Sequence, residues 1–374
     1  MRTATETPPR RALLRHALGW GTLGLGSGWP RWALAAPHPT APALIAAWDD
    51  PQGRHWVGRL VLHTEGHRWQ ADSALELPTR AHGLMAQADG SVLVCARRPG
   101  EWLLRWWPEH TQPPQWCWMN ADRRFTGHVV APIDDTQVIF SVEADQADGQ
   151  GWLVRRDAVR LTEQTRWPTH GIDPHQALWD TDGSVLVANG GVPTLPETGR
   201  TRRDMQRMDA SLVRLDGHDG TLRGQWRLND PRLSLRHLAR HASGVVGIAL
   251  QAEHDDLATR RTAPLLAVLD AQGLRLASQP PALAGYGGDI VATASGFAVG
   301  APRAGGIACW SPAGDWVGWH ALEEGCSLTA QAGRWWAGGR HHVLHTQPDG
   351  TLDTTALPAE VRLDNHWIST FSGK

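Results

Sequence analysis

Several residue types are scarce in this sequence of 374 residues. It contains one tyrosine, four phenylalanines and four cysteines, and its single lysine is Lys374. Because there are 21 tryptophans, tryptophan must supply most of the large aromatic volume of the core. The spacing of the cysteines matches no zinc ribbon and no haem-attachment motif, and it leaves the pairing of any disulfides open. The four cysteines are Cys95, Cys117, Cys309 and Cys326.

The chain also lacks the basic excess that nucleic-acid binding requires. It carries 36 Lys and Arg against 38 Asp and Glu, and residues 1–35 hold five of the arginines and one glutamate. Without that segment, 31 basic residues face 37 acidic ones, a net charge of −6. A mildly acidic chain of this kind excludes nucleic acid as the main partner, since phosphate binding needs a basic face.

The N-terminus has no apolar run long enough for a stable membrane span, because Arg15, His16 and several glycines interrupt it. It does have paired arginines, Arg10-Arg11, before a weakly apolar stretch, and a small-x-small cleavage pattern at residues 33–35. This layout predicts a twin-arginine signal peptide over residues 1–35 and a periplasmic location. Residues 36–374 are then expected to form one domain and a monomer.

Sustained helical periodicity is almost absent after residue 40. The chain instead shows short apolar or alternating runs, such as 91–95 and 184–188, and Asp-Gly turns at 89–90, 182–183 and 349–350. Evenly spaced short strands over more than 300 residues predict an all-β propeller, sandwich or barrel.

A loose repeat favours the propeller, with similar strand starts 37 to 62 residues apart. These starts are His82, His128, His175, His237, Asp289, Cys326 and His366. Units of about 40–50 residues are typical of WD-repeat-like blades of four strands, so the sequence predicts a seven-bladed β-propeller. Three strands, near 44–48, 55–62 and 68–77, precede the first full unit. We expect the strand at His366 to be an inner strand that pairs with them and closes the ring.

Innermost strands line the channel of a propeller, so the repeat predicts a histidine-rich site at one end of that channel. Imidazole and thiolate are ligands for iron, copper or zinc, and we expect Fe or Cu as the cofactor. A ring of polar side chains that bind nothing and a small-ligand site without a metal are the alternatives. The predicted metal ligands are His82, His128, His175, His237, His366 and Cys326.

Loops between the second and third strands should reach the same rim. Arginines there could hold carboxylates or phosphates in a bidentate manner. The predicted rim residues for a ligand or partner are Arg97, Arg98, Glu143, Asp145, Asn189, Arg200, Gln251, Asp289 and Arg303.

Several motifs resemble those of a known family. They are Arg97-Arg98-Pro99-Gly100, residues 170–175, residues 187–191, Arg236-His237-Leu238 and Asp364-Asn365-His366. In this order they are similar to the domain of unknown function 1513 family, over about residues 40–370. The resemblance implies an exported, twin-arginine-signalled β-propeller. It also implies a role in iron or other metal acquisition beside an imelysin-like periplasmic protein or a cytochrome-like oxidoreductase.

The leading functional prediction is a non-enzymatic periplasmic binding component linked to metal acquisition. A propeller enzyme, either a lactonase-like hydrolase or a quinoprotein-like oxidoreductase, is the second hypothesis. The channel has few of the carboxylates that a hard catalytic cation prefers, and neither a Trp docking repeat nor a G-x-S-x-G elbow is present. The third hypothesis is a protein-interaction scaffold without a ligand.

Overall fold

The structure is a computed structural model, and it describes residues 42–63, 67–119, 122–193, 204–278, 280 and 282–370. The predicted signal peptide and the predicted rim residue Arg200 lie outside these residues. Nearly all regular structure in them is antiparallel sheet, which confirms the all-β prediction and the propeller arrangement.

Three strands begin the described chain, as the sequence predicted. They are β1 (Ala43–Asp49), β2 (His55–His63) and β3 (Arg68–Leu77). Five separate four-stranded sheets follow, and each one is a simple meander in which strands adjacent along the chain pair with each other.

The first of these sheets consists of β4 (Ala81–Ala86), β5 (Val92–Ala96), β6 (Trp102–Trp106) and β7 (Gln115–Trp118). The second consists of β8 (Arg123–Val130), β9 (Val138–Asp145), β10 (Gln150–Asp157) and β11 (Glu163–Ile172). The third consists of β12 (Pro174–Trp179), β13 (Ser184–Asn189), β14 (Ser211–Asp216) and β15 (Leu222–Trp226).

The fourth sheet consists of β16 (Leu233–Arg240), β17 (Val246–Ala252), β18 (Leu266–Asp270) and β19 (Gly273–Leu276). The fifth consists of β20 (Ile290–Thr293), β21 (Gly296–Ala301), β22 (Gly306–Trp310) and β23 (Trp316–Ala321). The last strands of the chain are β24 (Ser327–Gln331), β25 (Arg334–Gly338), β26 (His342–Thr346), β27 (Leu352–Ala356) and β28 (Arg362–Ser369).

The prediction of seven separate blades is wrong, because five four-stranded blades are accompanied by one eight-stranded sheet. The eight strands comprise the meander β24–β27 and the group β28-β1-β2-β3. A single parallel residue pair, Ala356 with Arg68, joins β27 to β3. The sequence gives no sign of this pairing, since its two residues are far apart along the chain.

The C-terminal strand closes the ring as predicted. Strand β28 pairs antiparallel with β1, with Ile45 opposite Ile368 and Ala46 opposite Trp367. The strands β4, β8, β12, β16, β20, β24 and β28 each contact the next one in this order, and β28 contacts β4. These inner strands therefore surround a common centre.

Apolar side chains from neighbouring sheets form the core between them. One cluster joins Leu186 and Leu212 of the third sheet to Leu235 and Ile248 of the fourth. Tryptophans supply the largest fully buried side chains, as their abundance predicted, and Trp69 donates a 2.8 Å hydrogen bond from Nε1 to Thr355 Oγ1. Burying an aromatic ring while bonding its N–H lets a tryptophan fill the interior at little polar cost.

Helix is rare in the described residues. The α-helix found there is α1 (Leu257–Thr262), capped by Asp256, whose side chain accepts from the Thr259 amide. A 3-10 turn covers Met205–Arg207. Within the described chain, no helix has the length and apolar character needed to cross a membrane.

Candidate metal centre

Five histidines meet where the inner strands converge. Each comes from a different inner strand, and all five are buried. They are His82 on β4, His128 on β8, His175 on β12, His237 on β16 and His366 on β28. The predicted histidine set is therefore brought together in space.

The distances within this cluster are short. The ring centroids of His82 and His366, of His175 and His237, and of His237 and His366 are each 4.5 Å apart. One nitrogen from each of four rings lies within 4.8 Å of the others. These four are His82, His128, His237 and His366, and we call them the four-histidine group.

A break in strand register accompanies every histidine of the cluster. The pairing shifts between Ala81 and Leu84 around His82, and between Leu235 and Leu238 around His237. Similar shifts flank the other three, on β8, β12 and β28. The inner strands β20 and β24 follow Asp289 and Cys326 and pair without a shift. Such irregularities re-aim side chains out of the normal alternation, and here they occur where a histidine must face the centre.

Two glycines allow two of the rings to approach each other. A Cβ at Gly127, whose φ is +117°, would lie 2.4 Å from Cδ2 of His82. A Cβ at Gly83 would lie 2.8 Å from Nδ1 of His128. Each glycine neighbours one histidine in sequence and makes room for the other in space, so the pairs His82-Gly83 and Gly127-His128 are a local signal of the cluster.

Burial disfavours the charged form of four of these imidazoles. Burial lowers the pKa of His82 and His128 well below the usual histidine value, and the neighbouring His366 lowers both further. Burial likewise lowers the pKa of His175 and His237, helped by neighbouring imidazoles and by Arg236. Neutral imidazole is the form that binds a metal ion.

Only some of the imidazole nitrogens in the cluster form hydrogen bonds. Nδ1 of His366 lies 3.0 Å from Oδ2 of Asp289, which also accepts a 2.9 Å bond from the Leu328 amide. Nε2 of His237 lies 2.8 Å from Nε2 of His175. Within the described residues, Nδ1 of His82 and Nε2 of His128 and of His366 have no hydrogen-bond partner, whereas the His237 ring also forms a hydrogen bond with the Gly288 backbone.

The four-histidine group fits a metal ion. Buried polar atoms normally have hydrogen-bond partners, so the unpartnered nitrogens of His82, His128 and His366 require an explanation. An ion bound by all four rings would need nitrogens roughly 3.3 Å apart, given ligand distances of about 2.0–2.1 Å in a tetrahedral site. The observed separations of up to 4.8 Å reach that spacing through modest ring movements.

Asp289 has the position of a residue that orients a metal ligand. A carboxylate that accepts from Nδ1 of His366 leaves the lone pair on Nε2, the nitrogen without a partner. Carboxylate–histidine pairs of this kind are common behind metal ligands and raise their basicity. Asp289 was predicted as a rim residue, and the structure places it behind the cluster.

The predicted thiolate ligand, Cys326, does not join the four-histidine group. It is buried, and burial raises the pKa of its thiol. Cys95, Cys117 and Cys309 are also free thiols. A protonated, buried thiol behaves as a small apolar group, so the site has nitrogen ligands only.

Four predicted rim residues line one cavity of about 220 Å³ beside the cluster: Arg97, Arg98, Gln251 and Arg303. His82 and His175 also line it, so the cavity touches the histidine cluster directly. The carboxylates of Asp173 and Glu253 face it as well.

The remaining predicted rim residues have structural partners. Glu143 is fully buried and forms ion pairs with Arg123 and Arg156. Asp145 accepts a 2.9 Å bond from Nε1 of Trp152. Asn189 is fully buried and donates from Nδ2 to the Thr169 carbonyl at 2.8 Å.

Asp173, Asp364 and Tyr286 were not predicted as site residues. Asp173, at a φ of +52°, forms ion pairs with Arg98 and Arg236. Asp364 pairs with Arg80 at 3.0 Å and with Arg97 at 3.1 Å. Both aspartates belong to motifs noted in the sequence. Because the predicted rim contains several arginines, a negatively charged residue in these motifs could have been predicted to pair with them. Tyr286, the single tyrosine, carries no comparable pattern.

These features define a β-propeller with a buried histidine cluster at its centre. The chain belongs to the family described as Protein of unknown function (DUF1513), whose model matches residues 75–370. This confirms the family resemblance drawn from the motifs. No curated protein matches the chain.

Solved structures with the same fold share little sequence with this chain. Hydrazine synthase of Kuenenia stuttgartiensis has a TM-score of 0.58 at 9% identity, covering 88% of this chain and 99% of its own. A functionally unknown protein from Desulfotomaculum acetoxidans has a TM-score of 0.55 at 10% identity, covering 88% and 98%. Saccharomyces cerevisiae Sqt1 has a TM-score of 0.55 at 11% identity, covering 87% and 88%. At these identities the likeness concerns the fold alone.

Proposed function

We propose that this protein is a periplasmic metal-binding β-propeller that takes part in the acquisition of iron or another transition metal. The four-histidine group holds one ion, iron or copper, at the centre of the ring. The observation that carries the proposal is the four-histidine group itself, in which each of four buried rings offers a nitrogen within 4.8 Å of the others. Three of these rings, those of His82, His128 and His366, also have a buried nitrogen without a hydrogen-bond partner.

The imidazole ligands of the group favour a transition metal ion of intermediate Lewis-acid hardness. Imidazole suits Fe, Cu, Ni and Zn, whereas Mg²⁺ and Ca²⁺ prefer oxygen ligands. The group contains neither carboxylate nor thiolate. Four neutral imidazoles leave the charge of the ion uncompensated, and Asp289 behind His366 supplies one negative charge nearby.

His175 contributes by orienting His237. Their Nε2 atoms are 2.8 Å apart, so one of the two must donate a proton to the other. The backbone of Gly288 forms a hydrogen bond with the same His237 ring, so the two contacts together fix the orientation of that ring. The fifth histidine therefore has a role without being a ligand.

The periplasmic location and the link to metal acquisition rest on the sequence. The paired arginines and the cleavage pattern support export, and the DUF1513 membership supports the metal context that the family resemblance implies. An imelysin-like protein or a cytochrome-like oxidoreductase is the proposed partner.

Elemental analysis of protein exported natively through its own signal tests this proposal. We expect about one equivalent of iron or copper per chain, and loss of that metal in a His128→Ala variant. His342→Ala is the matched control, because His342 is an exposed histidine on β26 outside the cluster. Substoichiometric metal in the natural protein, together with no stabilisation by added Fe or Cu, would contradict the proposal.

Calorimetry and thermal unfolding supply a second readout. A ligand that binds only the folded state at 100 times its Kd stabilises it by about 2.7 kcal/mol. We expect a metal-dependent rise in Tm for the wild type and for His342→Ala, and none for His128→Ala. Equal rises in all three proteins would place the metal elsewhere.

A further inference from the structure

The cavity beside the cluster is strongly arginine-lined. Four guanidinium groups face its volume of about 220 Å³, from Arg97, Arg98, Arg236 and Arg303. One water molecule needs only about 10–15 Å³ of such space, so the cavity has room for a ligand of several non-hydrogen atoms.

The charge of the cavity walls is positive. The four arginines face two lining carboxylates, those of Asp173 and Glu253, and Arg97 also pairs with Asp364. The arginines therefore outnumber the carboxylates that face or pair with them by one. A concave site with walls of one sign concentrates small ions of the opposite sign.

Contacts with neighbouring side chains hold these arginines in place. Arg97 pairs with Asp364 at 3.1 Å, and Arg236 pairs with Asp173 at 3.0 Å. The guanidinium of Arg303 lies 4.2 Å from the centre of the Tyr286 ring. Donors that are already ordered lose little conformational entropy when an anion arrives.

The arginines also come from different blades. Arg97 and Arg98 follow β5, Arg236 lies on β16, and Arg303 follows β21. A single compact anion could approach only part of this set. A ligand with two or more separated anionic groups could meet arginines from opposite walls at once.

We propose that this cavity binds a small polycarboxylate whose carboxylates pair with the rim arginines while one of them reaches the ion in the four-histidine group. The link to the ion rests on the function proposed above. The geometry supports it because His82 belongs both to the cavity wall and to the four-histidine group. Planar carboxylates match the guanidinium fork, and separated carboxylates match arginines from several blades.

Calorimetry with citrate and metal-free protein tests the anion site by itself. We expect Arg303→Gln to weaken citrate binding about tenfold or more, because bonds to charged groups contribute strongly to binding. Arg303→Lys should give an intermediate loss, since it keeps the charge and removes the fork. Arg223→Gln is the matched control, as Arg223 is a half-exposed arginine paired with Asp216 outside the cavity.

Three results would overturn the anion site. They are no citrate binding to the wild type, equal losses in Arg303→Gln and Arg223→Gln, or inorganic phosphate binding as tightly as citrate. The last result would assign the cavity to compact anions instead of polycarboxylates.

Propane-1,2,3-tricarboxylate, a weaker chelator than citrate, tests the link to the ion. We expect it to bind metal-loaded wild type more tightly than metal-free wild type. His128→Ala should show no gain in affinity on addition of metal, since it removes a ligand of the ion and His128 does not line the cavity. Equal affinities for loaded and metal-free wild type would overturn the link. If the wild type takes up no metal, the proposed function fails with the link, while an Arg303-dependent affinity for citrate still supports the anion site.

Discussion

Two buried polar regions of this protein differ in how far their hydrogen-bonding capacity is used. Around Glu143, Oε1 accepts from Ser141 at 2.6 Å and from Arg156 at 2.5 Å, and Oε2 accepts from Arg123 at 2.7 Å. In the four-histidine group, the rings of His82, His128 and His366 each leave one buried nitrogen without a partner. Burial is therefore common to both regions, and unused hydrogen-bonding capacity is what distinguishes a candidate site from an internal support.

The two regions also differ in the charge of their buried side chains. Glu143 keeps its charge in the interior because two guanidinium groups neutralise it. The histidines avoid charge, since burial lowers their pKa values. The first region should therefore matter for stability and the second for binding, and substitutions can separate the two roles.

The largest expected effect is on stability. Glu143→Ala would leave Arg156 buried without its carboxylate, and breaking a buried pair in this way costs about 3–5 kcal/mol. Urea denaturation should show this loss, while any surviving folded protein binds metal normally. Glu76→Ala, at an exposed position of β3, is the control and should change little. A stability loss under about 1 kcal/mol would show that the ion pairs around Glu143 are not a support.

The next effect is on metal affinity. His128→Ala removes one of four ligands, and we expect the affinity to fall at least a hundredfold, which is about 2.7 kcal/mol. Without metal, the same change should cost less than half of the Glu143→Ala loss, because it deletes a polar group with an unsatisfied nitrogen. Titration calorimetry and urea denaturation measure the two quantities. An apo stability loss as large as that of Glu143→Ala would assign His128 a structural role.

Asp289→Asn should have a smaller effect on affinity. An asparagine can still accept from the Leu328 amide, but it cannot supply the charge behind His366. Losses of about 10–100-fold are typical when such a supporting residue is changed. Calorimetry measures this loss, and Asp315→Asn, at an exposed turn, is the control. Unchanged affinity in Asp289→Asn would remove its proposed orienting role.

The smallest effect, counted for one histidine and one pH unit, is on the pH dependence of the metal-free protein's stability. The folded pKa values of His82, His128, His175 and His237 lie below that of unfolded histidine, about 6.5. As pH falls below 6.5, the unfolded chain takes up protons that the folded chain cannot, so stability falls.

Each of these histidines contributes at most about 1.4 kcal/mol per pH unit between the unfolded and the folded pKa. Urea denaturation from pH 7.5 to 5 in the presence of a chelator measures the slope. His128→Gln should flatten it and His342→Gln should not. A slope that His128→Gln leaves unchanged would mean that His128 is protonated in the folded protein.

Much of the fold and the central part of the site could be predicted from the sequence. The alternating short runs and Asp-Gly turns are local signals, and β1 to β3 lie where those signals placed them. The histidines could be assigned to one centre because each occupies the same position in its repeat. Because the repeat units are arranged around one axis, histidines at the same position in different units could be predicted to lie close together in space.

Features that depend on pairing between distant residues could not be predicted. A glutamate on β9 looks the same in sequence whether it faces a rim or a buried guanidinium, so Glu143 was placed at the rim although Arg156 of β10 neutralises it. The bond between His366 of β28 and Asp289, which precedes β20, joins residues far apart along the chain. The Ala356–Arg68 pair that merges two groups of strands has no sequence signature either.

The position of His366 on the closing strand has a thermodynamic consequence. Strand β28 joins the two extremities of the described chain through its pairing with β1, and the same strand donates one of the four candidate ligands. An ion bound there would stabilise the closed ring, since β28 could not separate from β1 without the ion losing the ligand His366. Metal binding should therefore raise the free energy needed to separate β28 from β1, and hydrogen exchange in both strands should slow as the ion binds.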